Sequence, residues 1–229
     1  MKTTLFPLCA MIALLLTMPS ARLVAQSDEA DRIKESATVL GEIMKADDSS
    51  IPISVLTKAE GIAVFPGTVR GGFIVGAERG HGILSVRDPK TRAWSAPAFL
   101  TITGGSLGLQ IGVRATDLVL VIQNRRGLEN LVRNEWKIGA GAAISGGPVG
   151  RDAQAATDVQ LRAEILSYSR SRGLFAGVQL EGSTIKQDEG DNAKFYGTKY
   201  TTRDIVFDNK AKAPEATAVW FQALMKYVP

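Results

Sequence analysis

The sequence predicts an α+β fold: a glycine-rich, mostly antiparallel, strongly coiled or barrel-like β-sheet, with helices at the N-terminus and one at the C-terminus. Three observations predict it. Twenty of the 23 glycines fall between Gly61 and Gly182. Within that span, short apolar runs alternate with glycine turns, as in an antiparallel sheet. On either side of it, apolar residues recur at helical spacing.

The N-terminal segment is set apart first. Lys2 is followed by an apolar stretch from Leu5 to Met18, interrupted only by Pro7 and Thr17, and then by small residues Ser20, Ala21 and Ala25. That stretch is shorter than the roughly 20 apolar residues of a membrane-spanning helix. It predicts a secretory signal peptide over residues 1–25, with a single domain over 26–229. Cys9, the only cysteine, follows Leu8 and lies too early for lipid attachment. Its removal with the signal leaves no disulfide framework and no thiol chemistry. The expected location is periplasmic or secreted, peripheral to the membrane.

The elements then follow in order. Residues 28–45 predict an amphipathic helix, with Ser27 as N-cap, Asp28 and Glu29 in the first turn, and Ile33, Ala37, Leu40 and Met44 on one stripe. A short helix is expected from Pro52, stopping at Gly61. Strands follow in IAVFPG, GGFIVGAERGHGILSVR, AWSAPAFLTITGG, LGLQIGV, LVLVIQN and WKIGAGAAISGG. The continuous apolar run from Leu118 to Ile122 predicts a strand covered on both faces. Residues 127–134 are expected to form a short helix between strands, and the polar residues 186–194 a loop. In the stretch 167–182, Leu174, Ala176, Val178 and Leu180 alternate with Phe175, Gly177, Gln179 and Glu181. Arg170 and Arg172 fall on the non-core parity of the segment running through Ile165. From Pro214 a helix is predicted, with Ala216, Val219, Trp220, Ala223, Leu224 and Tyr227 as its apolar stripe.

Charge is unevenly spread. Residues 28–48 hold three bases and seven acids, a net of −4, whereas residues 49–229 hold 22 bases and 16 acids, a net of +6. Anions are therefore drawn to the body of the domain and not to its first helix.

Catalytic patterns fail on context. GGSLG (104–108) matches a nucleophile elbow around Ser106, but the only histidine, His81, precedes it, and the flanks predict strand–turn–strand. GAGAAISGG (139–147) has Ile144 where a dinucleotide fingerprint needs its third glycine, and it lacks a following Gly-Lys-Ser/Thr. One histidine and no mature cysteine leave zinc without its usual ligands. Asp188, Glu189, Asp191 and Asn192 do not have EF-hand spacing, and they read as a solvated acidic loop. Nothing in the sequence brings any two of Glu78, Asp117, Glu164 and Glu181 together for acid–base work. No cofactor, metal site or catalytic residue is expected. Arg70, Arg79, Arg151, Arg170 and Arg172 lie near glycine turns at strand ends, where guanidinium groups grip phosphate bidentately. They are the candidate lipid-binding residues. Nucleic acid is excluded as a partner by the mild net charge, the lack of a nucleic-acid motif and the export signal.

Seven segments share an order with a known family: KAEGIAVFP (58–66), GGFIVGAERGHGIL (71–84), WSAPAFLTITGGSLGLQIG (94–112), TDLVLVIQN (116–124), GGPVGRDA (146–153), SYSRSRGLFAGVQLEG (167–182) and NAKFYG (192–197). In these residues the chain resembles the SYLF domain family, also called the yeast-actin-binding-domain family. The resemblance implies one α+β domain that binds phosphoinositides and other anionic phospholipids, with actin binding in some fungal members. An export signal and the lack of Src-homology or FYVE segments shift the expectation from actin and phosphoinositides to acidic lipids in general. The expected partner is therefore an anionic phospholipid or membrane surface. The alternative is a structural or stress-related periplasmic protein acting through protein–protein contact.

Overall fold

The central strands carry apolar residues at both parities, so the sheet needs cover on both faces, and the helices are placed to supply it. The structure, a computed structural model, describes residues 20–46, 50–72, 75–107, 112–139, 144–149, 163–171, 174–177 and 180–229. Its helices are α1 (Ser20–Lys45), α2 (Ile53–Thr57), α3 (Arg125–Leu131), α4 (Glu189–Tyr196), α5 (Thr202–Val206) and α6 (Ala218–Tyr227). Its strands are β1 (Gly61–Gly72), β2 (Val75–Val86), β3 (Ala98–Leu107), β4 (Gly112–Ile122), β5 (Glu135–Lys137), β6 (Ile144–Gly146), β7 (Ile165–Ser171), β8 (Leu174–Gly177) and β9 (Ser183–Gln187). They form one strongly curled sheet in the order β5-β9-β3-β2-β1-β4-β7-β6, with β8 also paired to β7. Every pairing is antiparallel except that of β6 with β7. The α+β class and the mostly antiparallel, coiled sheet agree with the sequence.

One core lies under α1 and α6. There Ile33, Leu40, Ile43, Trp220 and Leu224 meet Ile62, Val64, Ile83, Phe99, Val119, Val121 and Tyr168. The second core lies on the opposite face, where Ala63, Phe65, Leu84, Leu100, Leu118, Leu120 and Ile165 meet Leu128, Leu131, Trp136 and Ile205. Leu118 to Ile122 is buried throughout, as its unbroken apolar run predicted. Each fully buried leucine or isoleucine contributes about 1.5–3 kcal/mol. Ile33, Leu40 and Ile43 of α1 are all at 0% exposure. The helix is therefore part of the core and not a detachable arm.

Five expectations are corrected. Helix α1 begins at Ser20, so Ser27 lies inside it and does not cap it. Helix α3 begins at Arg125, because the Asn124 side chain accepts from Gly127 N at 3.0 Å and caps it there. Residues 186–194 are the end of β9 and most of α4. Asp188 caps α4 by accepting from Asp191 N at 3.0 Å, and Gly197 ends it at φ +68. Asp191 and Asn192 are correspondingly buried and not solvated. Val219 is 39% exposed and leaves the predicted apolar stripe, whereas Trp220, Ala223 and Leu224 are buried and Ala216 and Tyr227 pack against the same core. Finally, β7 has no solvent-facing parity at its start. Ile165 enters one core, while Leu166 and Tyr168, which share the parity of Arg170, enter the other. Alternation identifies a wet face only where a sheet has one.

Candidate functional site

The sheet surface beside α1 is shaped by one irregularity in β1. The register of β1 shifts between Val64 and Val69 against β2, and between Phe65 and Thr68 against β4. Gly67 sits in that bulge at φ +54, a left-handed conformation that favours glycine. Its N–H donates to Asp117 Oδ1 at 2.9 Å. Two cavities open along α1 at this point, of about 490 and 680 Å³, and both are lined by Asp31, Glu35, Pro66 and Gly67.

Arg170 enters the first cavity from β7. Its backbone lies opposite Asp117 in the β4–β7 ladder. Its Nε donates to Asp117 Oδ2 at 2.8 Å, and its Nη2 lies 2.6 Å from the same oxygen. Its Nη1 pairs with Glu42 of α1. The guanidinium is thus clasped between a strand acid and a helix acid. No local motif pairs these residues, since 53 and 128 positions separate Arg170 from Asp117 and Glu42. Arg79 lines the second cavity from β2, is exposed, and makes no ion pair among the described residues. Arg70 lies in β1, its backbone opposite Glu78 on one side and Arg114 on the other. Arg151 and Arg172 lie outside the described residues. Of the five predicted arginines, the structure therefore places two, Arg79 and Arg170, along the groove beside α1.

The facing wall is acidic. Asp28, Asp31 and Glu35 of α1 line the groove and are exposed, and Lys34 is interleaved with them. At its N-terminal half α1 joins α4 through a buried polar cluster. Arg32 Nη1 donates to Asp191 Oδ2 at 2.7 Å, Lys194 Nζ lies 2.9 Å from Asp191 Oδ1 and 3.7 Å from Glu29 Oε1, and His81 Nδ1 lies 3.5 Å from Asp188 Oδ2. Burial pushes the Glu29 carboxyl above its ordinary range. Burial acts in the same direction on Asp191, but hydrogen bonds from Lys194 and Arg32 outweigh it and hold that carboxyl down at about 2. A depressed carboxyl stabilises the fold above its unfolded pKa, near 4, and the contribution is lost as pH falls toward 2. Replacing Asp191 by Asn is therefore expected to flatten the acid limb of a urea-stability profile between pH 5 and 2. An unchanged limb in the variant would contradict this assignment.

The remaining candidates are occupied or dispersed. Ser106 lies within β3, its backbone opposite Gly76, so it sits on a regular strand and not on an elbow. Glu78 accepts from Ser183 Oγ at 3.2 Å, and Glu164 pairs with Arg126 at 2.9 Å. Arg87, which the sequence did not single out, anchors the C-terminal segment. It stacks 4.4 Å from the Trp94 ring and donates to the carbonyls of Val228 and Pro229 at 2.5 and 2.8 Å. Burial, with the charge of Arg92 nearby, lowers its pKa to about 10.

Comparison with known proteins gives a consistent picture. Residues 103–227 match the family described as Ysc84, Las17-binding protein actin regulator. The human SH3 domain-containing YSC84-like protein 1 is 33% identical over 189 residues, covering 80% of this chain and 55% of that protein. The Xenopus laevis protein of the same name is 34% identical over 178 residues, covering 77% and 52%. LAS seventeen-binding protein 3 of Saccharomyces cerevisiae is 31% identical over 199 residues, covering 83% and 43%. The chain spans about half the length of the curated relatives it matches.

Proposed function

The chain belongs to the Ysc84, or SYLF-domain, family, and from that premise we propose that it is a non-catalytic lipid-binding protein of the cell envelope. Its ligands are acidic phospholipid head groups, and its binding surface is the basic body of the domain.

The supporting observation is the separation of charge across the groove. Five of the seven acids of residues 28–48 lie on α1, while residues 49–229 carry the excess base. Arg79 presents a guanidinium with no ion pair among the described residues beside the groove, and Arg170 is held by Asp117 and Glu42. A guanidinium donates to two phosphate oxygens at once, which suits a lipid head group. Arg151 and Arg172, outside the described residues, join the proposed binding residues on charge alone. Because α1 is seated by several fully buried side chains, electrostatic attraction of about 1 kcal/mol per base does not lift it away. Binding is to the surface around α1, with α1 in place.

A protein partner is the second reading. The matched family is described as Las17-binding, and α6 leaves Met225 at 69% and Val219 at 39% exposure on its outer face. Vesicle sedimentation separates the two. The full chain is expected to sediment with vesicles containing phosphatidylglycerol, to ignore purely phosphatidylcholine vesicles, and to bind more weakly as salt rises. Equal binding to both vesicle types, or to neither, rejects the acidic-lipid reading and favours the protein partner.

A further inference from the structure

We propose that His81, Asp188 and Asp191 form a site for one divalent cation of the zinc class, where β2 and α4 meet beside Glu29 of α1. Donor atoms of His81, Asp188 and Asp191 all lie within 4.8 Å of one another. Glu29 borders this group through Lys194, which lies against both Glu29 and Asp191, and is an independent sign of a missing ligand. Its side chain is 2% exposed, and its Oε2 is buried with no hydrogen-bond partner. A buried carboxylate oxygen without a partner carries the full desolvation cost of that atom. The His81 Nδ1 atom is also buried without a hydrogen-bond partner.

The other oxygen of each aspartate is already committed to holding the group in place. Asp188 Oδ1 accepts from Asp191 N at 3.0 Å, which leaves Oδ2 toward His81. Asp191 Oδ2 accepts from Arg32 at 2.7 Å, which leaves Oδ1 toward Lys194. Partners of this kind orient metal-binding carboxylates. One imidazole nitrogen and two carboxylate oxygens make a three-donor set that suits zinc with a water in the fourth position.

Lys194 fills the cation position in the metal-free protein. Its ammonium lies 2.9 Å from Asp191 Oδ1 and 3.7 Å from Glu29 Oε1, yet its side chain is 55% exposed and free to swing outward. When it leaves, Asp191 Oδ1 is released while Asp191 Oδ2 stays on Arg32, and a divalent ion balances the carboxylates of Asp188 and Asp191. Zinc and the lysine ammonium therefore compete for the Asp191 carboxylate.

Zinc titration of the EDTA-treated full chain tests this by calorimetry, with cobalt absorption as the spectroscopic readout. The wild type is expected to bind one zinc per chain and to gain an EDTA-reversible rise in melting temperature. His81→Ala, which removes the only histidine, is expected to weaken binding by at least about tenfold and to abolish the tetrahedral cobalt bands. Lys194→Met is expected to tighten it. A purely structural salt-bridge cluster would give the opposite result for Lys194→Met, namely lost stability and no zinc uptake. Absence of one-to-one binding in both the wild type and Lys194→Met overturns the proposal, as does binding that survives His81→Ala unchanged.

Discussion

Trp220→Ala is expected to destabilise the domain by about 3–5 kcal/mol, the cost of emptying a large aromatic from a packed core. Trp220 is at 0% exposure and lies in the core that α1 and α6 share with the sheet. Its Nε1 donates to Ser85 Oγ at 2.9 Å, and Ser85 is itself fully buried on β2. Truncation therefore opens a cavity and strands a hydroxyl. Trp220→Phe keeps most of the volume and loses the hydrogen bond, so it is expected to cost less than the alanine change. Urea denaturation of the three proteins measures both effects. A Trp220→Ala variant with wild-type stability would show that α6 is peripheral to the core.

The second large effect is on binding. Replacing Arg79, Arg151 and Arg172 together by Gln is expected to weaken the affinity for acidic vesicles by about 3 kcal/mol, on the order of a hundredfold, at about 1 kcal/mol per base. Arg170 is left out because its charge is already shared between Asp117 and Glu42. Its removal alone would leave Asp117 half-satisfied and test stability more than lipid binding. Glutamine keeps the length and polarity of the side chains, so the triple variant should keep its wild-type melting temperature while its affinity falls.

Much of the fold was legible because local chemistry and tertiary structure agree. The apolar run Leu118–Ile122 could only be a doubly covered strand, and it is one. The stripe Ile33, Ala37, Leu40 packs as its 3.6-residue spacing required. The misreadings have equally local causes. The segment 186–194 is polar, yet it carries a helix N-cap at Asp188 and a left-handed C-cap at Gly197. Composition suggested a loop, and the capping residues were the better guide. The parity assignment on β7 failed because a sheet buried on both faces offers alternation no solvent to point to.

The site was less legible, because its chemistry is made by long-range pairing. Arg170 was singled out from its place beside a glycine-bearing strand, but its clasp by Glu42 depends on where α1 lies across the sheet. The cluster of Glu29, His81, Asp188 and Asp191 draws on three elements far apart in the chain, and no spacing rule connects them. Net charge by segment, by contrast, needs no structure. The acidic first helix and the basic body were read directly from the residues, and α1 carries its acids along the groove.

That separation of charge makes the most direct test a comparison of sign. The full chain, the Arg79/Arg151/Arg172→Gln variant and a Glu35→Gln/Glu42→Gln variant are titrated against the same phosphatidylglycerol vesicles at fixed salt, with melting temperatures confirming that each is folded. If acidic head groups bind the basic body of the domain, the arginine variant binds more weakly than the wild type. The glutamate variant, relieved of repulsion and with Arg170 partly released, binds more tightly. Arginine and glutamate variants that both bind like the wild type would contradict the account, as would a glutamate variant that loses binding while the arginine variant keeps it.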